Sequence, residues 1–272
     1  MKTAAAVFDA VIVGATAPGV VAAVRMAREG LRVALVSSGR KIGGSLPSLG
    51  AIETHYRGNR APLLEELCAA IRHHYRTRDG EDSAQYRACT GGKMLTFEPH
   101  IVERVLDRMV AAEARIEVIR GFAPHYVEHE GAIVRRAHFL STTNSTRAAL
   151  EAAVFIEAGY EGDFMAAAGA RFRIGREARR EFGEPRAGCV FTKWITGEFP
   201  RAAVEGRLNL VTAGATTSTP LPGSTGEGDD NIQSYGYRLC LTDDPANRRV
   251  LESPPADYDR ASFAPILLPP EE

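Results

Sequence analysis

Lysine is scarce in this 272-residue chain: Lys2, Lys41, Lys93 and Lys193 are the only ones, and arginine carries almost all of the positive charge. None of the four has a tyrosine four positions before it, which removes the Tyr-x-x-x-Lys pair of the short-chain dehydrogenases. Cysteine is sparse as well. Cys68, Cys89, Cys189 and Cys240 stand far apart, with no C-x-x-C pair and no histidine at zinc-site spacing, so neither a disulfide scaffold nor a metal site is indicated and reduced thiols are expected. No segment reaches the roughly 20 apolar residues of a membrane span. Asp9 interrupts the apolar start that would otherwise pass for a signal peptide, and the expected compartment is the cytoplasm. With a net charge of −1 there is no bias toward nucleic acid or an anionic membrane as partner. Ser-His-Asp order, paired carboxylates and metal-ligand spacing are all missing. No catalytic residue is therefore named, as expected where a cofactor carries the chemistry.

What is present has the profile of a globular protein, with 44% hydrophobic and 25% charged residues and a length sufficient for one large domain or two modest ones. The stretch from Phe8 to Gly44 reads as a nucleotide-binding βαβ unit. Ala10 to Val13 form an apolar strand that stops at Gly14, and Gly14 to Gly19 have the spacing of G-x-G-x-x-G. Thr16 stands in place of the middle glycine, which means either an altered backbone approach to pyrophosphate or a hydroxyl bonded to phosphate. Pro18 suits a first helical turn, and Val20, Val21, Val24 and Ala27 follow at helical spacing up to Gly30. A second strand spans Arg32 to Val36. Its neighbour Ser37 lies about 20 residues past the glycines, where an acid usually grips the ribose, and no acid is there. Gly43 and Gly44, with Ser45 after them, are a second place where backbone can approach a ligand closely. A side chain at Gly14 is expected to block the nucleotide and spare the fold. The alternative reading has these glycines serving turns alone.

Downstream, a helix is expected over 61–76 with Leu63, Leu64, Leu67 and Ile71 inward and His73 and His74 at its negative pole. A second helix opens at Pro99 and buries Ile101, Val102, Val105, Leu106 and Met109. Ile116 to Ile119 supply a third strand after this crossover. From about 123 to 147 the pattern changes to antiparallel strands with a turn at Glu130-Gly131, read as a three-strand excursion between two parallel strands, and Ala152 to Ala158 return to a buried strand closed by Gly159. The fold class is thus α/β: a Rossmann-like domain with a parallel sheet and an antiparallel β excursion.

The motifs Gly14-Ala15-Thr16-Ala17-Pro18-Gly19, Ile42-Gly43-Gly44, Phe97-Glu98-Pro99-His100, Phe155 to Asp163 and Arg238 to Pro245 occur in that order, and with them the chain resembles the xanthan-lyase-like FAD-dependent oxidoreductases, whose FAD domain is of the glutathione reductase type. The resemblance implies FAD across the first βαβ unit. Gly14, Ala15, Thr16, Ala17, Pro18 and Gly19 would lie on the pyrophosphate, Ser37 at the ribose, Lys41, Gly43, Gly44 and Ser45 toward the flavin, and Gly159 behind the adenine side. It also implies two departures: Ser37 where the family has Glu, and Glu157-Ala158-Gly159 where it has Asp-Ala-Thr. Relatives of this kind are longer, so a missing C-terminal part is expected.

The expected division is an FAD-binding domain over 1–170 and a partial substrate or cap region over 171–272. Asp163 is read as N-cap of an alanine-rich helix leading into the latter, where Arg176, Arg179 and Arg180 are read either as carboxylate clamp or as a solvated face, 213–231 as a mobile covering loop or a plain connection, and 232–241 as a strand. The function expected is FAD-dependent oxidation or reduction of a small organic substrate. Two alternatives stand beside it: an NADP-dependent reductase using Ser37, Ser38, Arg40 and Lys41 on a 2′-phosphate, and a non-catalytic or split nucleotide-binding remnant completed by a second chain or oligomer.

Overall fold

In a computed structural model, residues 6–53, 61–90, 94–194, 216–220, 222–232, 241, 245, 248–250 and 252–259 are described. They belong to two compact units, the first built on residues 1–171 and the second starting at Phe172.

The first unit is organised by a six-stranded sheet. In chain order its elements are β1 (Ala6–Val13), α1 (Ala17–Arg28), β2 (Val33–Ser37), α2 (Leu46–Leu49), β3 (Ala51–Glu53), α3 (Pro62–Asp79), α4 (Ala84–Thr90), β4 (Met94–Thr96), α5 (Pro99–Ala111), β5 (Ile116–Arg120), β6 (Phe122–Glu130), β7 (Ile133–Ser141), β8 (Arg147–Glu157) and α6 (Asp163–Ala167). The strand order is β5-β2-β1-β8-β7-β6, with β5, β2, β1 and β8 parallel and β8, β7 and β6 antiparallel. β3 and β4 form a separate antiparallel pair.

Ala10–Val13 of β1 and Val33–Val36 of β2, at the centre of the sheet, are apolar and buried because both of their faces are covered. On one face Ile12, Val33 and Leu35 meet Val20, Ala23 and Val24 of α1, Leu67 and Ile71 of α3, and Val102, Val105 and Leu106 of α5. On the other, Val11, Val13, Ala34 and Val36 pack with Ala137, Phe139, Leu150 and Phe164. Of the expected α1 stripe, Val20, Val24 and Ala27 are buried, whereas Val21 is partly exposed and Ala23 takes its place. All five residues expected to face inward on α5 are buried.

Three local expectations are corrected. The antiparallel excursion has no third strand of its own: β8 pairs with β7 through Arg147–Glu151 and continues without a break as the partner of β1 through Glu157. The helix expected over 61–76 runs to Asp79, so His73 and His74 lie in its interior and not at its end. There burial, with Arg78, Arg104 and Arg108 nearby, holds the pKa of His74 below its ordinary value, and its buried Nε2 has no hydrogen-bond partner among the described residues. Asp163 is the first residue of α6, not its cap. The capping position belongs to Gly162, whose φ of +74° no side-chain-bearing residue adopts readily.

The second unit contributes α7 (Arg179–Phe182) and an antiparallel pair, β9 (Thr192–Trp194) with β10 (Thr216–Pro220). Of the loop expected over 213–231, residues 216–220 form β10 instead, and 222–231 are tied down: Arg176 and Asp229 exchange backbone hydrogen bonds, Cys189 N–H donates to Glu227 O, and Thr225 and Gly226 donate to Cys189 O. Arg180 pairs with Glu227 and Arg176 with Asp229, while the buried Nε of Arg179 has no hydrogen-bond partner among the described residues. The strand expected over 232–241 falls largely on 233–240, outside the described residues, as does most of the Arg238 to Pro245 motif. No helix among the described residues is long and apolar enough to cross a membrane.

Candidate cofactor site

From β1 the chain moves to β2 and then β5 on one side, and afterwards crosses to β8 on the other. Between β1 and β8 the order reverses, and just outside the carboxyl ends of the strands at such a point an α/β sheet leaves a crevice. Three loops converge there: 14–19 after β1, 38–45 after β2 and 158–162 after β8.

The loop after β1 is built without side chains in its way. Gly14 has φ +105°, and a Cβ on it would lie 2.4 Å from Gly159 N and 2.5 Å from the Ala158 carbonyl carbon. On Gly19 a Cβ would lie 2.1 Å from Gly14 O. These two glycines are thus demanded by the protein's own backbone, where β1, α1 and β8 crowd together. Correspondingly, a side chain at Gly14 would disrupt the fold itself, contrary to the expectation that it would be spared. The Thr16 hydroxyl donates to Ala158 O at 2.7 Å and accepts from Gly19 N–H at 3.3 Å, which caps α1, so this side chain is turned inward. Ala15 is buried, Ala17 is half-buried, and Pro18 is exposed in the first turn of α1.

At the end of β2, Ser37 is buried and its hydroxyl donates to Lys41 O at 3.2 Å. The Lys41 ammonium lies 2.7 Å from Glu103 of α5. Gly43 N–H donates to Ala15 O at 2.7 Å, which joins this loop to the first. Gly43 itself has φ +100°, and a Cβ there would sit 2.4 Å from Leu106 Cδ1. On the far side, Thr142 Oγ1 donates to Ser38 O and Gly121 N–H to Gly39 O. The loop is held from both flanks.

The third loop contains two residues whose roles the sequence did not disclose. Glu157 ends β8, and its carboxylate accepts from Gly159 N–H at 2.6 Å, Phe164 N–H at 2.9 Å and Met165 N–H at 3.1 Å. It braces the turn and supplies the cap that α6 lacks; the signal for it was an acid two places before a glycine at a strand end. Tyr160 lies across the loop after β2, with its hydroxyl 2.9 Å from Ser45 N and 3.0 Å from Ser45 Oγ. Gly159 stands between the two, and a Cβ on it would meet Glu157 Oε1 at 2.8 Å.

A turn with glycine at both ends and its Thr16 side chain turned inward, at the start of a 12-residue helix and on a topological switch point, suits the pyrophosphate of a dinucleotide. The sequence profile of the FAD dependent oxidoreductase family matches residues 9–268. The chain belongs to that family. Membership of the FAD dependent oxidoreductases makes FAD its cofactor, and the turn and glycines of the crevice fit it, although no acid stands at the end of β2. No curated protein matches the sequence. Among solved structures, the chain is similar to THI4 of Thermovibrio ammonificans, with 16% identity, a TM-score of 0.40 and coverage of 65% of this chain and 64% of that one. It is also similar to p-nitrophenol 4-monooxygenase PnpA from Pseudomonas putida DLL-E4, at 14% identity, TM-score 0.44 and coverage of 64% and 45%. For L-proline dehydrogenase from P. horikoshii the values are 14%, 0.33, 56% and 22%. The match thus spans about a fifth of that dehydrogenase's length.

Proposed function

We propose that the crevice formed by the loops after β1, β2 and β8 holds FAD, and that this FAD dependent oxidoreductase acts on a small organic substrate. One observation carries the reading: at the topological switch point, the turn that opens α1 has glycine at both ends, Gly14 and Gly19, and its Thr16 hydroxyl is withdrawn to Ala158. Gly14, Ala15, Thr16, Ala17, Pro18 and Gly19 would bear on the pyrophosphate. The dipole of α1 favours that anion. Ser37 would face the ribose only through a hydroxyl already committed to Lys41 O, so the adenosine end is held without a carboxylate. Lys41, Gly43, Gly44, Ser45 and Gly159 would complete the lining. When bound, FAD supplies the acceptor for hydride or electrons. This chain's own residues bind and orient it.

The family match favours FAD over NADP. Near the end of β2 Lys41 is paired with Glu103, while the exposed Arg40 beside it is the cation that a 2′-phosphate would use. The first unit is read as the FAD-binding domain and the second as part of a substrate or cap region. Titrating the apo-protein with FAD and with NADP, followed by the absorbance spectrum of the purified complex, tests the assignment. Stoichiometric FAD with a protein-bound flavin spectrum is expected; NADP binding without FAD binding would overturn it. Bound FAD that no candidate reductant bleaches would point instead to a nucleotide-binding remnant.

A further inference from the structure

Three ties knit the mouth of the crevice together. Thr16 Oγ1 to Ala158 O joins the β1 turn to the loop after β8, and Gly43 N to Ala15 O joins it to the loop after β2, each at 2.7 Å. The third tie runs between those two neighbours. The Tyr160 hydroxyl accepts the Ser45 N–H at 2.9 Å and shares a hydrogen bond with Ser45 Oγ at 3.0 Å. Gly44 makes room for it: its φ is +59°, and a Cβ there would lie 2.3 Å from Tyr160 Oη.

We propose that Tyr160 is a positioning residue for the cofactor: its hydroxyl holds the Gly43–Ser45 backbone in the cofactor-ready arrangement, and removing it speeds FAD release. This rests on the reading of the crevice as the FAD site. The Tyr160 residue is 60% exposed, so burial of its ring does little to fix its orientation and the hydroxyl contacts matter most. Gly43 and Gly44 both have positive φ, a conformation that glycine adopts freely but among many others, so this pair has much freedom to lose. A bond that removes the freedom before ligand arrives lowers the ordering cost of binding, which is preorganisation. The phenol is itself delivered from a braced turn, since Gly159 N–H just before it is held by Glu157 at 2.6 Å.

The test compares wild type, Tyr160→Phe and Ser45→Ala as full chains. FAD association and release are followed by stopped-flow flavin fluorescence, and hydrogen exchange at the Ser45 amide is read in the apo-proteins. In Tyr160→Phe the release rate should rise on the order of tenfold, the effect of losing about one to two hydrogen bonds, with association changed less than about twofold. Exchange at Ser45 should accelerate while that of α1 stays put. Ser45→Ala keeps the N–H bond and should show a smaller rise, about threefold; it also carries the test if the phenylalanine variant fails to fold. Release unchanged in both variants would overturn the proposal, as would faster exchange throughout α1 with a lowered unfolding midpoint, the mark of a merely structural role. A wild type that leaves FAD fluorescence unchanged would overturn the crevice reading and this one with it, whereas FAD bound by wild type and released at the same rate by Tyr160→Phe would sink this inference alone.

Discussion

Gly14 shows how a cofactor motif can be imposed by the protein before any ligand enters. The turn needs φ +105°, and the space a Cβ would fill is already taken by the backbone of Ala158 and Gly159. A left-handed conformation alone costs about 1–3 kcal/mol for a residue with a side chain, and the overlap adds to that. Gly14→Ala should therefore lower the denaturant midpoint of the apo-protein as well as weaken FAD binding. A variant as stable as wild type but unable to bind FAD would show that the glycine serves the ligand and not the packing. Thr16 makes the complementary point. Where a third glycine would be bare, its hydroxyl satisfies Ala158 O and the first turn of α1, so the side chain consolidates the fold and is itself withdrawn from the crevice.

At the scale of elements, two joints have measurable consequences. α6 is only five residues long and has a glycine at its N-cap, and its amide groups at Phe164 and Met165 are held by Glu157 from the end of β8. Glu157→Gln removes the charge and one acceptor oxygen, replacing it with a donor that faces other donors. The expected cost is about 1–3 kcal/mol, read as faster amide exchange at Phe164 and Met165 with β1 and β2 unaffected. Protection unchanged at those amides would remove Glu157 from this role. The second joint holds α3 to the start of α5. Buried Tyr75 accepts the Glu98 N–H at 2.7 Å, and burial pushes its pKa up from 10.0 to about 12. The neutral phenol is thus favoured in the folded state, so its contribution is fully present below pH 10 and is lost as pH rises toward about 12. Unfolding midpoints should fall over that window in wild type and fall less steeply in Tyr75→Phe; parallel curves would refute the assignment.

At the scale of the molecule, every residue of the candidate site lies within the first compact unit, whose main run ends at Arg171. The following stretch, Phe172 to Ile174, is exposed and carries Arg173. Brief trypsin treatment should cut after Arg171 or Arg173 and leave a fragment that retains FAD, as shown by flavin co-eluting with it on a sizing column. Flavin lost on cleavage would mean that residues beyond Arg171 help to hold it.

Much of this architecture follows from local order in the chain. The apolar runs of β1 and β2, the glycine spacing between β1 and α1, and the stripes of α1, α3 and α5 are periodicities within a few turns or strand residues, and they specify a parallel α/β sheet with its crevice after β1. Ser37 and the Gly43-Gly44 pair were placed at the crevice by the same means. What tertiary structure alone decided is how the loops close on one another. Thr16 meets a carbonyl 142 positions away and Ser45 meets Tyr160 at a separation of 115. Both contacts depend on β8 lying beside β1 in the register that pairs Val13 with Glu157. That register in turn depends on β8 continuing out of the antiparallel hairpin, where the sequence suggested a separate strand. Local propensity acts over a few residues and carries no information about which distant backbone a side chain will reach. The turn was therefore legible in the sequence, and the three ties that hold its mouth were not.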